Sequence, residues 1–162
     1  MSLDIVFAYD RPEEVLGLFS EYMEMLLEGD PTFAEYLQIQ NYDDELKDLS
    51  QKYGLPDGRL YLAYWDGELA GSIALRKIDS EQCELKRMYI KPAFRRRGIA
   101  KTLVLRLIDD AREIGYRHML LDTLPFLQTA IGMYHNIGFY EIDRYNNSPM
   151  DTSIYMKFDL QK

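Results

Sequence analysis

The chain is poor in metal- and redox-active side chains. It has one cysteine, Cys83, and two histidines, His118 and His135, in 162 residues. One cysteine excludes an internal disulfide and any cysteine-based metal cluster. The histidines stand apart without metal-ligand spacing, so both read as ordinary surface or helix residues and no metal is expected. No apolar run approaches the length that spans a bilayer. The opening Met1-Ser2-Leu3-Asp4 lacks the basic and apolar regions of a signal peptide, and the expectation is a cytoplasmic protein. Neither Gly-x-x-x-x-Gly-Lys-Ser/Thr nor Gly-x-Gly-x-x-Gly occurs, which argues against a nucleotide triphosphatase and a Rossmann dehydrogenase. Internal repeats, linkers and low-complexity segments are missing as well. So is an overall excess of base. The formal net charge is −8, and an acidic surface repels nucleic acid and anionic membrane, so neither is expected as a partner.

What is present describes one folded unit over residues 1–162, with 47% hydrophobic and 28% charged residues. Its charge is unevenly spread. Residues 1–54 carry thirteen acidic and three basic side chains. Residues 86–101 carry seven basic ones, Lys86, Arg87, Lys91, Arg95, Arg96, Arg97 and Lys101, and no acidic one. Such a run is either a solvated basic face or a small anion site on an acidic body, suited to one phosphorylated ligand.

Periodicity predicts an α+β order. Leu3–Ala8 reads as a strand. Asp10 is placed to cap a helix, with Pro12 in its first turn and Glu13 at the capping-box position. Val15, Leu16, Phe19, Met23, Leu26 and Leu27 then repeat at helical spacing as far as Gly29-Asp30-Pro31. Residues 32–53 read as a second, less regular helix anchored by Leu46 and Leu49. Arg59–Trp65 and Glu68–Lys77 are strands joined by Asp66-Gly67, a hairpin signal. Glu84–Ile90 is the next strand. From Gly98 an amphipathic helix runs to about Glu113, with Ile99, Leu103, Leu107, Ala111 and Ile114 as its stripe and Gly115 as its C-cap. His118–Thr123 is a strand, and strand–helix–strand implies a parallel, right-handed crossover. Phe126–Asn136 reads as a helix, and Phe139–Asp143 and Ser153–Leu160 as strands around the polar loop Tyr145–Thr152. The sum is an α+β domain with a mixed sheet.

The most informative segment is Arg95-Arg96-Arg97-Gly98-Ile99-Ala100, between a strand and a long helix. A basic turn with a glycine at that junction aims backbone N–H groups at an anion seated on the positive end of the helix. Its surroundings carry a family resemblance. Glu84-Leu85-Lys86-Arg87-Met88-Tyr89-Ile90-Lys91-Pro92 followed by Arg95-x-x-Gly98-x-Ala100 resembles the acetyl-CoA motif of the GNAT superfamily of N-acyltransferases. Ala130-Ile131-Gly132-Met133-Tyr134, followed by Gly138-Phe139, resembles that family's second signature.

The resemblance implies a mixed central sheet with splayed strands and helices on both faces. It implies an acetyl-CoA-dependent N-acetyltransferase, with acetyl-CoA as acyl donor and a small-molecule amine or a peptide as acceptor. The pantetheine arm is then expected to pair with Met88, Tyr89 and Ile90, and the pyrophosphate to lie on Arg95, Arg96, Arg97, Gly98, Ile99, Ala100 and Lys101. The backbone N–H of Met88 or Tyr89 would polarise the thioester carbonyl. Tyr134 matches the family's general acid, although its place on an apolar helix face also fits a core tyrosine. Glu84 matches a position where some members carry a general base, and burial there is expected to raise its pKa. A salt bridge to Lys86 or Arg87 is the competing role for Glu84. Leu127 stands where many members have a CoA-contacting asparagine, so Gln128 or Thr129 would have to substitute. The resemblance places the acceptor between the first two helices, roughly Leu27–Tyr42, and at the loop Tyr145–Thr152; in the first, Glu28, Asp30, Phe33, Glu35, Tyr36 and Tyr42 would suit a cationic amine. A non-catalytic acyl-CoA-binding regulatory module is the alternative reading, and oligomeric state, including a homodimer, stays open.

Overall fold

The computed structural model describes residues 2–146, 148 and 150–161. Met1, Lys162, and Asn147 and Pro149 of the predicted polar loop lie outside the described residues.

Strand alternation builds a sheet that is covered on both faces. In β2 (Arg59–Trp65), Leu60 and Leu62 face one cluster while Tyr61 and Ala63 face another. β2 pairs antiparallel with β1 (Leu3–Phe7) and with β3 (Glu68–Lys77), the latter through the expected Asp66-Gly67 turn, whose φ angles are both positive. β4 (Gln82–Ile90) follows antiparallel to β3. Helix α5 (Ile99–Ile114) then returns the chain to β5 (His118–Thr123), which runs parallel to β4. β6 (Tyr140–Ile142) and β7 (Ile154–Asp159) complete the seven-stranded order β1-β2-β3-β4-β5-β7-β6.

The predicted stripe of α5 is buried, with Ile99, Leu103, Val104, Leu107, Ile108 and Ala111 in one cluster with Tyr61, Ile73 and Leu85. Tyr134 of α6 (Gln128–Ile137) joins that cluster. The opposite face is covered by α1 (Pro12–Gly29), through Val15, Leu18 and Phe19, and by Tyr53.

Three local expectations change. Residues 32–53 form three short helices, α2 (Phe33–Ile39), α3 (Tyr42–Lys47) and α4 (Leu49–Tyr53). Asn41 in the left-handed region breaks the first junction, and extended Asp48 breaks the second, accepting a hydrogen bond from Ser50 N at 3.1 Å. Asp10 does not cap α1. Arg11 holds the N-cap position without a side-chain cap bond, and the Asp10 carboxylate lies 3.8 Å from Arg11 Nε. α6 starts two residues later than predicted, because Leu127 N turns back to Leu124 O at 3.0 Å.

Candidate active site

β4 pairs with β5 only along Gln82–Glu84 against His118–Leu120. Past that point the two strands part, and β4 has an unpaired edge. A bulge sharpens the parting. Opposite β3 the register steps from Lys86 to Tyr89 while β3 advances only from Ala74 to Ser72. Arg87 sits in the bulge with φ 56°, and its carbonyl accepts the Ser72 hydroxyl at 2.9 Å. Beyond the bulge, Lys91 N donates to Ala70 O at 2.8 Å, so Tyr89 also directs its backbone toward β3. By the same alternation, Met88 and Ile90 present theirs to the gap. Of the two candidate oxyanion donors, Met88 is therefore the one whose N–H faces the opening.

The gap is the mouth of a cleft of about 630 Å³. Met88, Tyr89 and Ile90 line it together with Arg95, Arg96, Gly98, Ile99, Ala100 and Lys101. Arg96 and Gly98 both take positive φ, 65° and 76°, which suits a concave turn of N–H groups. No side chain caps α5, so the amides of its first turn are open to an anion. Arg95 is partly engaged, donating from Nε to Ile90 O at 3.0 Å and lying over the Tyr89 ring. Arg97 does not line the cleft. Its guanidinium stacks 5.3 Å from Trp65 and 5.6 Å from Phe94. Leu127, Gln128 and Thr129 line the opposite wall, and the Gln128 amide donates to Pro125 O.

Tyr134 reaches the cleft from α6 and is only 5% exposed. Burial, reinforced by nearby Tyr22, pushes its pKa well above that of an ordinary phenol. The ring packs on Phe139, 5.5 Å between centroids, and the residue also lines the cleft.

At the inner end the cleft is charged. Lys86, Arg87, Gln40, Tyr36 and Asp122 line it, and Glu84 does not. Glu84 is 2% exposed, with Arg76 Nε at 2.6 Å on one oxygen and the Tyr145 hydroxyl at 2.5 Å on the other. Its expected pKa rise is reversed. Burial alone would raise it, but Lys86, Arg76 and Tyr145 together hold the carboxyl below its ordinary value. The ion pair expected with Lys86 or Arg87 is made chiefly with Arg76, because β3 places Arg76 opposite Glu84 while Lys86 Nζ stays 4.0 Å away. Arg87 is instead gripped by both oxygens of Glu45, at 2.9 and 2.8 Å.

The seven-residue basic run is therefore not one patch. Lys86 and Arg87 are buried at the inner end, Lys91 pairs with Glu21 at 3.4 Å, and Arg97 stacks outside. Nor do Glu28, Asp30, Glu35 and Tyr42 line the cleft. Glu28 and Glu35 are exposed, Asp30 accepts Thr32 N at 3.1 Å, and the apolar side of the segment contributes Phe33 and Tyr36.

Asp122 is the site residue that sequence reasoning missed. Its Oδ2 accepts the Tyr36 hydroxyl and, at 3.1 Å, the Asn146 amide. A polar residue ending the apolar run Met119-Leu120-Leu121 at the carboxyl end of a parallel strand was the available signal. Among the described residues no group of three or more His, Cys, Asp or Glu is placed to hold a metal. None of their helices is long and apolar enough to cross a membrane.

Comparison with known proteins agrees with this geometry. Residues 18–139 match the model of the acetyltransferase (GNAT) family. An uncharacterized N-acetyltransferase of Dictyostelium discoideum is 32% identical over 99% of this chain and 100% of its own length. An acetyltransferase structure from Streptococcus agalactiae superposes with TM-score 0.77 at 21% identity, covering 97% of this chain and 98% of that one. The PaiA N-acetyltransferase of Thermoplasma acidophilum, in complex with coenzyme A, gives TM-score 0.75 at 22% identity, covering 98% and 99%. With its open mixed sheet, parted β4 and β5, and basic turn before α5, the chain belongs to the GNAT acetyltransferase family.

Proposed function

We propose that the protein transfers an acetyl group from acetyl-CoA to a primary amine by direct attack. The observation that carries this reading is convergence. The open edge of β4, the uncapped start of α5 and Tyr134 all meet in one cleft. Met88 and Ile90 offer backbone groups to the pantetheine amides. The turn from Arg95 to Lys101 offers amides and charge to the pyrophosphate, with Arg96 and Lys101 supplying cations in place of the outward-facing Arg97. Gln128 and Thr129 are the polar groups on the α6 wall. The coenzyme A complex of the Thermoplasma relative supports the same donor class.

In the reaction, the amine nitrogen attacks the acetyl carbonyl carbon and the carbon–sulfur bond breaks. The Met88 N–H stabilises the charge that develops on the carbonyl oxygen. Tyr134, kept protonated by its raised pKa, gives its proton to the departing sulfur. The proton lost by the amine goes to Asp122, the carboxylate that lines the cleft. Glu84, behind it, acts as a base only through an intervening water.

Tyr134→Phe tests the reading. It should lower kcat by about 10²–10⁴-fold while leaving CoA affinity within about threefold. Unchanged turnover would remove Tyr134 from the chemistry. CoA binding with no turnover by the unaltered protein toward any amine would turn the reading to a non-catalytic acyl-CoA-binding module.

A further inference from the structure

On the acceptor side of the cleft, the proposed chemistry leaves one cation without a task. Lys86 lies on β4 just before the bulge and is 8% exposed. Its ammonium carries three donors. Gln40 Oε1 takes one at 2.6 Å. Glu84 is 4.0 Å away, and its two oxygens are already held by Arg76 and Tyr145. The neighbouring Arg87 is in a different position, since both oxygens of Glu45 match its charge. A desolvated cation without a close counter-ion is unfavourable. Its surroundings show the strain, since burial draws the Lys86 pKa down to about 8 despite the opposing pull of Glu84 and Asp122.

Asp122 completes the arrangement. It stands on β5, across the opening from β4, with its carboxylate close enough to act on Lys86 electrostatically. The rest of the inner cleft is aromatic and apolar, from Tyr22, Leu26, Phe33, Tyr36 and Leu124. A small ligand lying between the two strands meets a cation at one end and an anion at the other.

We infer that Lys86 receives the carboxylate of a free amino acid whose amino group is held at Asp122. The inference rests on the proposed acetyl transfer and names its acceptor. A peptide amine or a protein lysine has no carboxylate on the carbon that bears its amino group and leaves the Lys86 ammonium unmatched. On this reading the acceptor carries both signs of charge, because the cleft pairs the Asp122 carboxylate with the buried Lys86 ammonium.

The test measures CoA release with free amino acids, their amides, the corresponding decarboxylated amines and a short peptide, with CoA binding followed in parallel. Amino acids should exceed their amides in kcat/KM by about 10- to 100-fold, as expected for a charge-assisted bond. In Lys86→Gln that ratio should collapse to about threefold or less, mainly through KM. Equal or better use of amides, amines or the peptide by the unaltered protein overturns the acceptor assignment and leaves acetyl transfer standing. An unchanged ratio in Lys86→Gln overturns the role of Lys86. CoA binding with no acceptor turned over overturns both the inference and the transfer reading. If Lys86→Gln does not fold, the acceptor panel on the unaltered protein decides.

Discussion

A carboxylate accepts a proton from a substrate only if it can reach it and has no stronger partner. Glu84 and Asp122 differ on both counts. Glu84 is enclosed by Arg76, Tyr145 and Lys86, which keep it ionised and make it a weak base. Asp122 lines the cleft and accepts two neutral donors, Tyr36 and Asn146, on Oδ2, with no donor from the described residues on its other oxygen. Asp122→Asn should therefore reduce kcat by about 10²-fold or more, with Glu84→Gln acting mainly on thermal stability. The opposite ranking in steady-state rates would return the base to Glu84. The position of Glu84 could be read from the motif around it. Its environment could not, because Arg76 and Tyr145 arrive from other strands and loops, 8 and 61 residues away in the chain.

The turn before α5 was legible because its physics is local. A glycine in the left-handed region, flanking arginines and an amphipathic run all lie within a few residues. The structure refines the reason for Gly98. A Cβ there would meet no protein atom within 4 Å, so packing does not require the glycine. Its φ of 76° does, at a cost of about 1–2 kcal/mol for another residue, and so does the close approach of a ligand. Gly98→Ala should lower Tm by about 2–8 °C, at about 2–4 °C per kcal/mol for this size. It should raise KM for acetyl-CoA by roughly tenfold or more, equivalent to about 1.4 kcal/mol. A melting-point loss with unchanged KM would place the glycine in folding alone. The bulge of β4 was not legible in the same way. Arg87 is neither glycine nor asparagine, yet it takes φ 56°, held by Ser72 on one side and Glu45 on the other.

Across the whole molecule, one buried ion pair ties the amino-terminal helices to β4. Glu45 on α3 holds Arg87 on β4 and Lys52 on α4, and Gln40 at the end of α2 bridges Arg87 and Lys86. Burial alone would raise the Glu45 pKa, but Arg87 and Lys52 bring it down to about 2 from its ordinary 4.5. A carboxyl depressed in the folded state stabilises it fully above the unfolded pKa, and that contribution is lost as pH falls through the folded value. Urea unfolding should therefore show stability falling between about pH 4.5 and 2. Glu45→Gln should cost about 3–5 kcal/mol at neutral pH, because it leaves Arg87 buried and uncompensated, and should flatten the acid slope. An unaltered slope in that variant would assign the acid sensitivity elsewhere.

By itself the sequence determined the order of elements, the hairpin at Asp66-Gly67, the buried stripe of α5 and the basic glycine turn before it. Each depends on side-chain periodicity or backbone preference over short stretches of chain. Tertiary structure alone decided which charges face the cleft. Seven basic residues that fall within residues 86–101 scatter to four surroundings, because strand pleat, the Arg87 bulge and partners from other elements sort them one by one. The proposed donor side of the site could be read from a run of residues. The acceptor side depends on burial and pairing between distant residues, and only the folded chain brings Lys86 and Asp122 into one cleft.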